Sequence, residues 1–249
     1  MSATPAWPPR SAPRLFVTGR LSVPMELTLE GNQAHYLARV MRLSAGDAVI
    51  LCDDQTGEWS SRVIMPGKRT ITVELLELLR PREDVPDLTL CAALLKKPNF
   101  DFVLEKATEL GVRTIQPVIT RRCVADKLNL ERAKTIICEA AEQCARTALP
   151  VLLAPVKLDA LLRGWPDDRA LFFADETGGS PAAATFAAGG TPAAILIGPE
   201  GGFDDAERAG IRSSPAAKAI TLGPRILRGE TASIAAVSLW MAAAGDWRG

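Results

Sequence analysis

The fold turns on one stretch, Ile195-Leu196-Ile197-Gly198-Pro199-Glu200-Gly201-Gly202-Phe203-Asp204. An apolar run from Ala193 to Ile197 reads as a buried strand and ends in three glycines within five residues. Glycine tolerates positive φ and lets a ligand approach the backbone closely. The loop is neither the dinucleotide fingerprint nor a Walker loop, because the spacing differs and no Lys-Ser/Thr follows. Glu200 would also repel a polyphosphate. Backbone donors and acceptors beside one acid suit a neutral or zwitterionic ligand. The same residues also describe a tight strand-to-helix turn, and spacing does not separate the two. Asp204 is placed to cap a helix over Asp205 to Ile211.

Outward from this loop, strands and helices alternate. Strands are predicted at Leu88 to Leu94, Thr114 to Ile119, Val151 to Ala154, Ala170 to Ala174, Ala193 to Ile197 and Ala219 to Leu222. Helices are predicted at Phe100 to Leu110, Leu130 to Thr147, Leu158 to Arg163, Asp205 to Ile211 and Glu230 to Ala244. Gly111 should stop the first helix. Pro181 to Pro192 reads as an alanine- and glycine-rich loop. Continuous apolar strands between helices argue for an α/β fold with a parallel sheet covered on both faces. Ligands of such sheets bind beyond the carboxyl ends of the strands. A second motif, Leu222-Gly223-Pro224-Arg225-Ile226-Leu227-Arg228-Gly229-Glu230-Thr231, also follows a strand and should meet the glycine loop there. Its plain alternative is a surface turn with solvated arginines. Glu139, Glu142, Gln143 and Arg146 fall at helical spacing and predict one polar face.

The first part, to about Arg80, is different. Short runs at Arg14 to Val17, Met25 to Leu29, Ala48 to Cys52, Trp59 to Ile64 and Thr70 to Leu76 are separated by turn signals and predict a small β-barrel. One helix interrupts them, from about Gln33 to Leu43, with Asn32 as its cap and Arg39 and Arg42 on one face. His35, the lone histidine, sits at its start and reads as a surface or capping residue. The proline-bracketed polar stretch from 81 to 87 is the expected linker, with one domain over 1–80 and another over 88–249.

Composition is that of a soluble globular chain: 249 residues, 47% hydrophobic and 23% charged. No apolar run is long enough to span a bilayer. The first dozen residues, with three prolines and no apolar block, read as a loose extension and not a secretory signal. Five cysteines, none in Cys-x-x-Cys spacing, read as buried thiols in a reducing cytoplasm. With no metal-ligand pattern and one histidine, neither a metal site nor a Ser-His-Asp triad is expected. The net charge of +0 excludes a whole-chain electrostatic argument for nucleic acid. Local clusters remain: Arg10, Arg14, Arg20, Arg39 and Arg42, and then Arg121, Arg122, Lys127, Arg132 and Lys134. Each is either a phosphate-contacting patch or a solvated face.

Taken together, the motifs resemble one family. They are Gly198-Pro199-Glu200-Gly201-Gly202-Phe203, Leu222 to Ala232, Lys106-Ala107-Thr108-Glu109-Leu110-Gly111-Val112 and Glu142-Gln143-Cys144-Ala145-Arg146. Arg14-Leu15-Phe16-Val17 and the stretch from His35 to Asp47 join them in matching order. The chain is similar to the bacterial 16S ribosomal RNA (uracil-N3)-methyltransferases, the RsmE family; Gly229 is a minor variation. The resemblance implies a C-terminal SPOUT α/β trefoil-knot domain with a parallel sheet and an N-terminal PUA-like β-barrel that helps hold RNA. It implies S-adenosyl-L-methionine as cofactor, a homodimer through the knot, and one uridine of the small ribosomal subunit as substrate. The cofactor would lie against Ile197, Gly198, Pro199, Glu200, Gly201, Gly202, Leu222, Gly223, Pro224 and Leu227. Negative charge building on the uracil favours a nearby cation, and Arg228 is the candidate. Glu230 is the candidate base, its plain role being helix capping. Arg14, Arg39, Arg42, Arg121 and Arg122 are candidate RNA contacts. N3 lies on the Watson–Crick edge, so the base must be unpaired or flipped out. The rivals are a SPOUT enzyme for another base or a ribose 2′-hydroxyl, and a non-enzymatic assembly factor. A nucleotide-dependent enzyme of doubly wound fold would need a phosphate loop.

Overall fold

The computed structural model describes residues 7–248. Residues 1–6 of the expected N-terminal extension lie outside the described residues. The chain divides into two compact units: Met1–Asp84 with Ala141–Ala148, and Val85–Ala140 with Leu149–Gly249.

In the first unit, β1 (Arg14–Phe16), β2 (Glu26–Glu30), β3 (Ala48–Cys52), β4 (Gly57–Met65) and β5 (Thr70–Pro81) form a five-stranded sheet in the order β1-β3-β4-β5-β2. Three register shifts interrupt the β4–β5 ladder, and bulges of this kind bend a strand and increase its twist. Ile71, Val73 and Leu75 alternate inward from β5 and pack with Leu15, Leu29, Leu51 and Trp59. The predicted helix is shorter and differently wound. An α-helical turn, α1 (Gly31–His35), runs into a π-helical turn over Tyr36–Val40. Glu30, not Asn32, holds the cap position, and it makes no side-chain cap bond. His35 closes α1 instead of opening it. Arg39 lies in the π turn and Arg42 is beyond it at φ 57°, so helical spacing does not put them on one face.

β5 continues through Pro81, so the expected linker starts inside a strand. The rest is tied down too. Arg82 donates to the Asp54 carbonyl at 2.8 Å, and Glu83 accepts from the N–H groups of Thr147 and Ala148 at 2.8 and 3.0 Å.

The second unit contains β6 (Leu88–Ala93), α2 (Lys97–Glu109), β7 (Thr114–Ile119), α3 (Leu130–Cys144, whose last residues belong to the first unit), β8 (Val151–Leu152), β9 (Val156–Lys157), α4 (Leu158–Arg163) and β10 (Ala170–Ala174). It continues with β11 (Ser180–Pro181), α5 (Ala182–Gly189), β12 (Ala193–Ile197), α6 (Asp205–Arg212), β13 (Ala217–Thr221) and α7 (Gly229–Ala243). The eight strands pair in the order β11-β13-β10-β12-β6-β7-β8, with β9 also on β7, and every pairing is parallel. All five residues of β12 are buried because both faces are covered. Ile195 and Ile197 pack on one face with Phe172, Val237 and Trp240; Ala194 and Leu196 pack on the other with Leu171, Phe203 and Ile211. β12 inserts between β10 and β6, and β13 lies on the far side of β10. The loops leaving β10, β12 and β13 therefore share one end of the sheet.

Three expectations are corrected here. The alanine-rich stretch after Pro181 is a helix, α5, not a loop: alanine has the highest helix propensity, and Phe186 and Ala182 bury its inner face. α3 stops at Cys144, because Ala145 turns left-handed at φ 61°; Arg146 therefore leaves the polar face that spacing assigned to it. Cys52 and Cys91 are buried, but Cys144 is exposed. Gly111 does stop α2, at φ 89°, with the Val112 N–H returning to the Ala107 carbonyl at 3.0 Å.

Candidate active site

A cleft of about 780 Å³, counted to its open mouth, lies where those three loops meet. Ile197, Gly198, Pro199 and Gly202 form one wall; Leu222 to Leu227, with Gly229 and Ala232 of α7, form another. Eight of the ten residues expected at the cofactor stand on these walls. Glu200 and Gly201 do not. Glu200 is exposed and accepts from the Lys96 N–H, at the start of α2, at 3.3 Å. The Gly201 carbonyl accepts from Arg122 at 2.8 Å.

The strand-to-helix turn is firmly set. Asp204 accepts from the Glu207 N–H at 2.7 Å while Glu207 accepts from the Asp204 N–H at 3.1 Å, a capping box. The Glu207 N–H bond, with help from Arg121, holds the Asp204 carboxyl below its ordinary pKa. Arg121 donates to Asp204 at 3.0 Å and Arg122 lies along Gly201. Both side chains remain exposed.

The other wall has the opposite character. Arg225, Ile226 and Leu227 spend none of their peptide groups on backbone hydrogen bonds within the described residues, and Ile226 is 89% exposed. Unspent donors and acceptors beside the apolar side chains of Ile226 and Leu227 fit a ligand with a heterocycle edge and hydroxyl groups.

The third wall comes from the end of β10 and from α6, and sequence reading missed it. Asp175, Glu176 and Arg208 line the cleft there. Asp175 is buried, which raises its pKa; the Thr177 bonds and the Arg212 guanidinium outweigh that and hold it below the ordinary value. An acidic pair placed directly after the run Ala170 to Ala174 was the available signal.

Arg228 and Glu230 do not themselves line the cleft, although Leu227, Gly229 and Ala232 around them do. Arg228 is exposed at the N-cap of α7. One Glu230 carboxylate oxygen is buried without a hydrogen-bond partner. Among the expected RNA contacts, Arg39 and Arg42 are exposed, but Arg14 is turned inward. It pairs with buried Glu58 at 2.9 Å, so its charge is already committed. Among the described residues, no group of three or more His, Cys, Asp or Glu is placed to hold a metal ion, and no helix is long and apolar enough to cross a membrane.

Residues 82–241 match the RNA methyltransferase domain family, and residues 29–76 match the RNA methyltransferase PUA domain family. The ribosomal RNA small subunit methyltransferase E of Rickettsia conorii is 30% identical over 229 residues, covering 90% of this chain and 93% of that one. The Synechocystis protein of that name is 32% identical over 234 residues, covering 90% and 76%. A crystal structure of the Neisseria gonorrhoeae ribosomal RNA small subunit methyltransferase E bound to S-adenosyl methionine matches with a TM-score of 0.87 at 28% identity, over 95% of this chain and 99% of that one. A parallel α/β sheet with loops converging on one cleft, following a PUA domain in the sequence, defines an RNA methyltransferase. The chain belongs to the ribosomal RNA small subunit methyltransferase E family.

Proposed function

We propose that this protein uses S-adenosyl-L-methionine to methylate N3 of one uridine in 16S ribosomal RNA of the small subunit. The observation that carries the reading is the cleft wall at Arg225 to Leu227, with its peptide groups unspent beside an apolar floor. When bound, the cofactor supplies an electrophilic methyl group on a sulfonium. Ile197, Gly198, Pro199, Gly202, Leu222, Gly223, Pro224 and Leu227 hold it, and Glu200 and Gly201 shape the loop from outside the wall.

The chain's remaining task is to present a deprotonated N3 in line with that methyl group. Arg228, exposed at the start of α7 beside the wall, carries the fixed positive charge that stabilises the uracil anion. Glu230 lies in the first turn of α7 with an unpartnered carboxylate oxygen, and it takes or orients the N3 proton. Arg39, Arg42, Arg121 and Arg122 contact RNA phosphates; Arg14 is left out because Glu58 holds it. In this reading, residues 1–80 bind RNA, residues 88–249 carry out the transfer, and 81–87 join them. The working form is a homodimer through the knot domain, in the cytoplasm.

The test uses labelled S-adenosylmethionine with small subunits from cells lacking the enzyme, followed by mass spectrometry of the nucleosides. Label in 3-methyluridine supports the reading; label in another base or a ribose overturns it. Arg228→Ala should abolish turnover while cofactor affinity changes by less than about threefold. Retained turnover removes Arg228 from the chemistry.

A further inference from the structure

Of the acids on the cleft wall, only one has an oxygen to spare. Asp175 spends both. Its Oδ1 accepts from the Thr177 N–H at 3.0 Å, the Thr177 hydroxyl at 2.8 Å and Arg208 Nε at 3.2 Å, and its Oδ2 accepts from Arg212 at 2.7 Å. Glu176 is different. Its Oε1 accepts from Arg208 Nη2 at 3.0 Å, while Oε2 makes no hydrogen bond within the described residues. Its side chain is 45% exposed, which puts it at the mouth of the cleft.

Two features fix that carboxylate. Arg208 is itself held, donating to Asp175, to Asp205 at 3.4 Å and to the Phe203 carbonyl at 3.3 Å, with only 13% of its side chain exposed. It is therefore a spent cation that orients Glu176 and offers nothing to a ligand. The carboxylate also rests on Gly202: a Cβ there would fall 2.6 Å from Oε1 and 3.0 Å from Oε2. Gly202 adopts φ 68°, so the position excludes larger residues by backbone as well as by space.

We propose that Glu176 binds the α-ammonium of the cofactor's methionyl tail, with Arg208 as its positioning residue. The inference rests on the cofactor occupying this cleft, as proposed above. An ammonium brings three N–H donors and needs an acceptor at hydrogen-bond distance; a sulfonium has no donor to satisfy. The wall at Leu222 to Leu227 offers backbone groups and apolar side chains to the adenosine end, and its one charge, Arg225, repels an ammonium, which leaves the α-ammonium to the wall where Glu176 stands.

Calorimetry with three ligands tests this: S-adenosylmethionine, S-adenosylhomocysteine and 5′-methylthioadenosine, which lacks the amino-acid tail. Glu176→Gln should weaken the first two about tenfold, as loss of a charge-assisted bond at a half-exposed site would. Binding of 5′-methylthioadenosine should change by less than about twofold. Equal loss for all three ligands overturns the assignment, since the substitution then disturbs the cleft itself. Loss for S-adenosylmethionine alone also overturns it, because the carboxylate would then answer the sulfonium. No loss at all does the same. If the amide variant fails to fold, Glu176→Asp carries the test: the charge stays, one methylene of reach is lost, and only the two tailed ligands should weaken. Leu227→Trp separates this idea from the one beneath it. That variant fills the cleft and should lose all three ligands. If it binds them normally, the cofactor's placement fails; if it loses them while Glu176→Gln binds normally, only the role of Glu176 fails.

Discussion

Arg14 and Arg42 look interchangeable in the sequence, since both belong to the same basic stretch. The structure separates them by what each guanidinium already holds. Arg14 is mostly buried against Glu58, whose side chain is only 5% exposed, and Arg80 completes that cluster from β5. Arg42 is exposed. Removing one partner of a buried pair leaves the other charge desolvated, which is costly. Arg14→Ala should destabilise the protein by about 2 kcal/mol, softened because Arg80 still serves Glu58. Arg42→Ala should change stability by less than about 0.5 kcal/mol. Urea denaturation of the two variants decides the matter; equal losses would mean that the Arg14 pair has no special weight. Charge count alone could not have made this distinction, because pairing is a property of the folded neighbourhood.

At the level of elements, the turn between β3 and β4 is built around one carboxylate. Asp53 accepts from the N–H groups of Leu21, Gln55, Thr56 and Gly57 and from the Thr56 hydroxyl. Burial pushes its pKa up, but those donors outweigh burial and hold it at about 2, below the ordinary 3.8. The folded state thus binds this proton less readily than the unfolded chain. The stabilisation is complete above pH 3.8 and drains away as pH falls toward 2, amounting to about 2 kcal/mol. Asp53→Asn should be less stable at pH 7 and should lose that slope in chemical denaturation followed from pH 5 to 2. An unchanged slope would assign the acid sensitivity elsewhere. Elements of this kind also show what a sequence can announce. Ala48–Cys52, Thr114–Ile119, Ala170–Ala174 and Ala193–Ile197 were readable to the residue, because each is a bounded apolar run. α5 was not, since prolines and glycines bracket its alanines and its burial depends on the sheet beneath. The left-handed stop at Ala145 and the π turn after His35 have no residue-type signature. The cleft was half legible. Its glycine and Leu222 to Leu227 walls are local motifs, whereas the wall of Asp175, Glu176 and Arg208 joins residues more than thirty positions apart.

For the molecule as a whole, 29 basic and 29 acidic side chains leave no net field to draw in RNA. Attraction must come from individual exposed arginines that are not consumed internally. Arg39 and Arg42 meet that condition in the first unit; in the second, Arg121 is exposed but shared with Asp204. Each phosphate neutralised on single-stranded RNA contributes roughly −0.7 to the slope of log K against log salt. Two to four such contacts, from Arg39 and Arg42 alone to all four with Arg121 and Arg122, predict a slope of about −1.4 to −2.8, shallow beside that of a strongly basic binder. Replacing Arg39 and Arg42 together by alanine should flatten it by about 1.4, leaving cofactor binding in the other unit untouched. Filter binding of a small-subunit RNA fragment across a potassium chloride series measures this directly. A steep slope that survives the double substitution would place the RNA track on other residues, and would show that the balanced charge of the chain conceals a basic surface that these two arginines do not define.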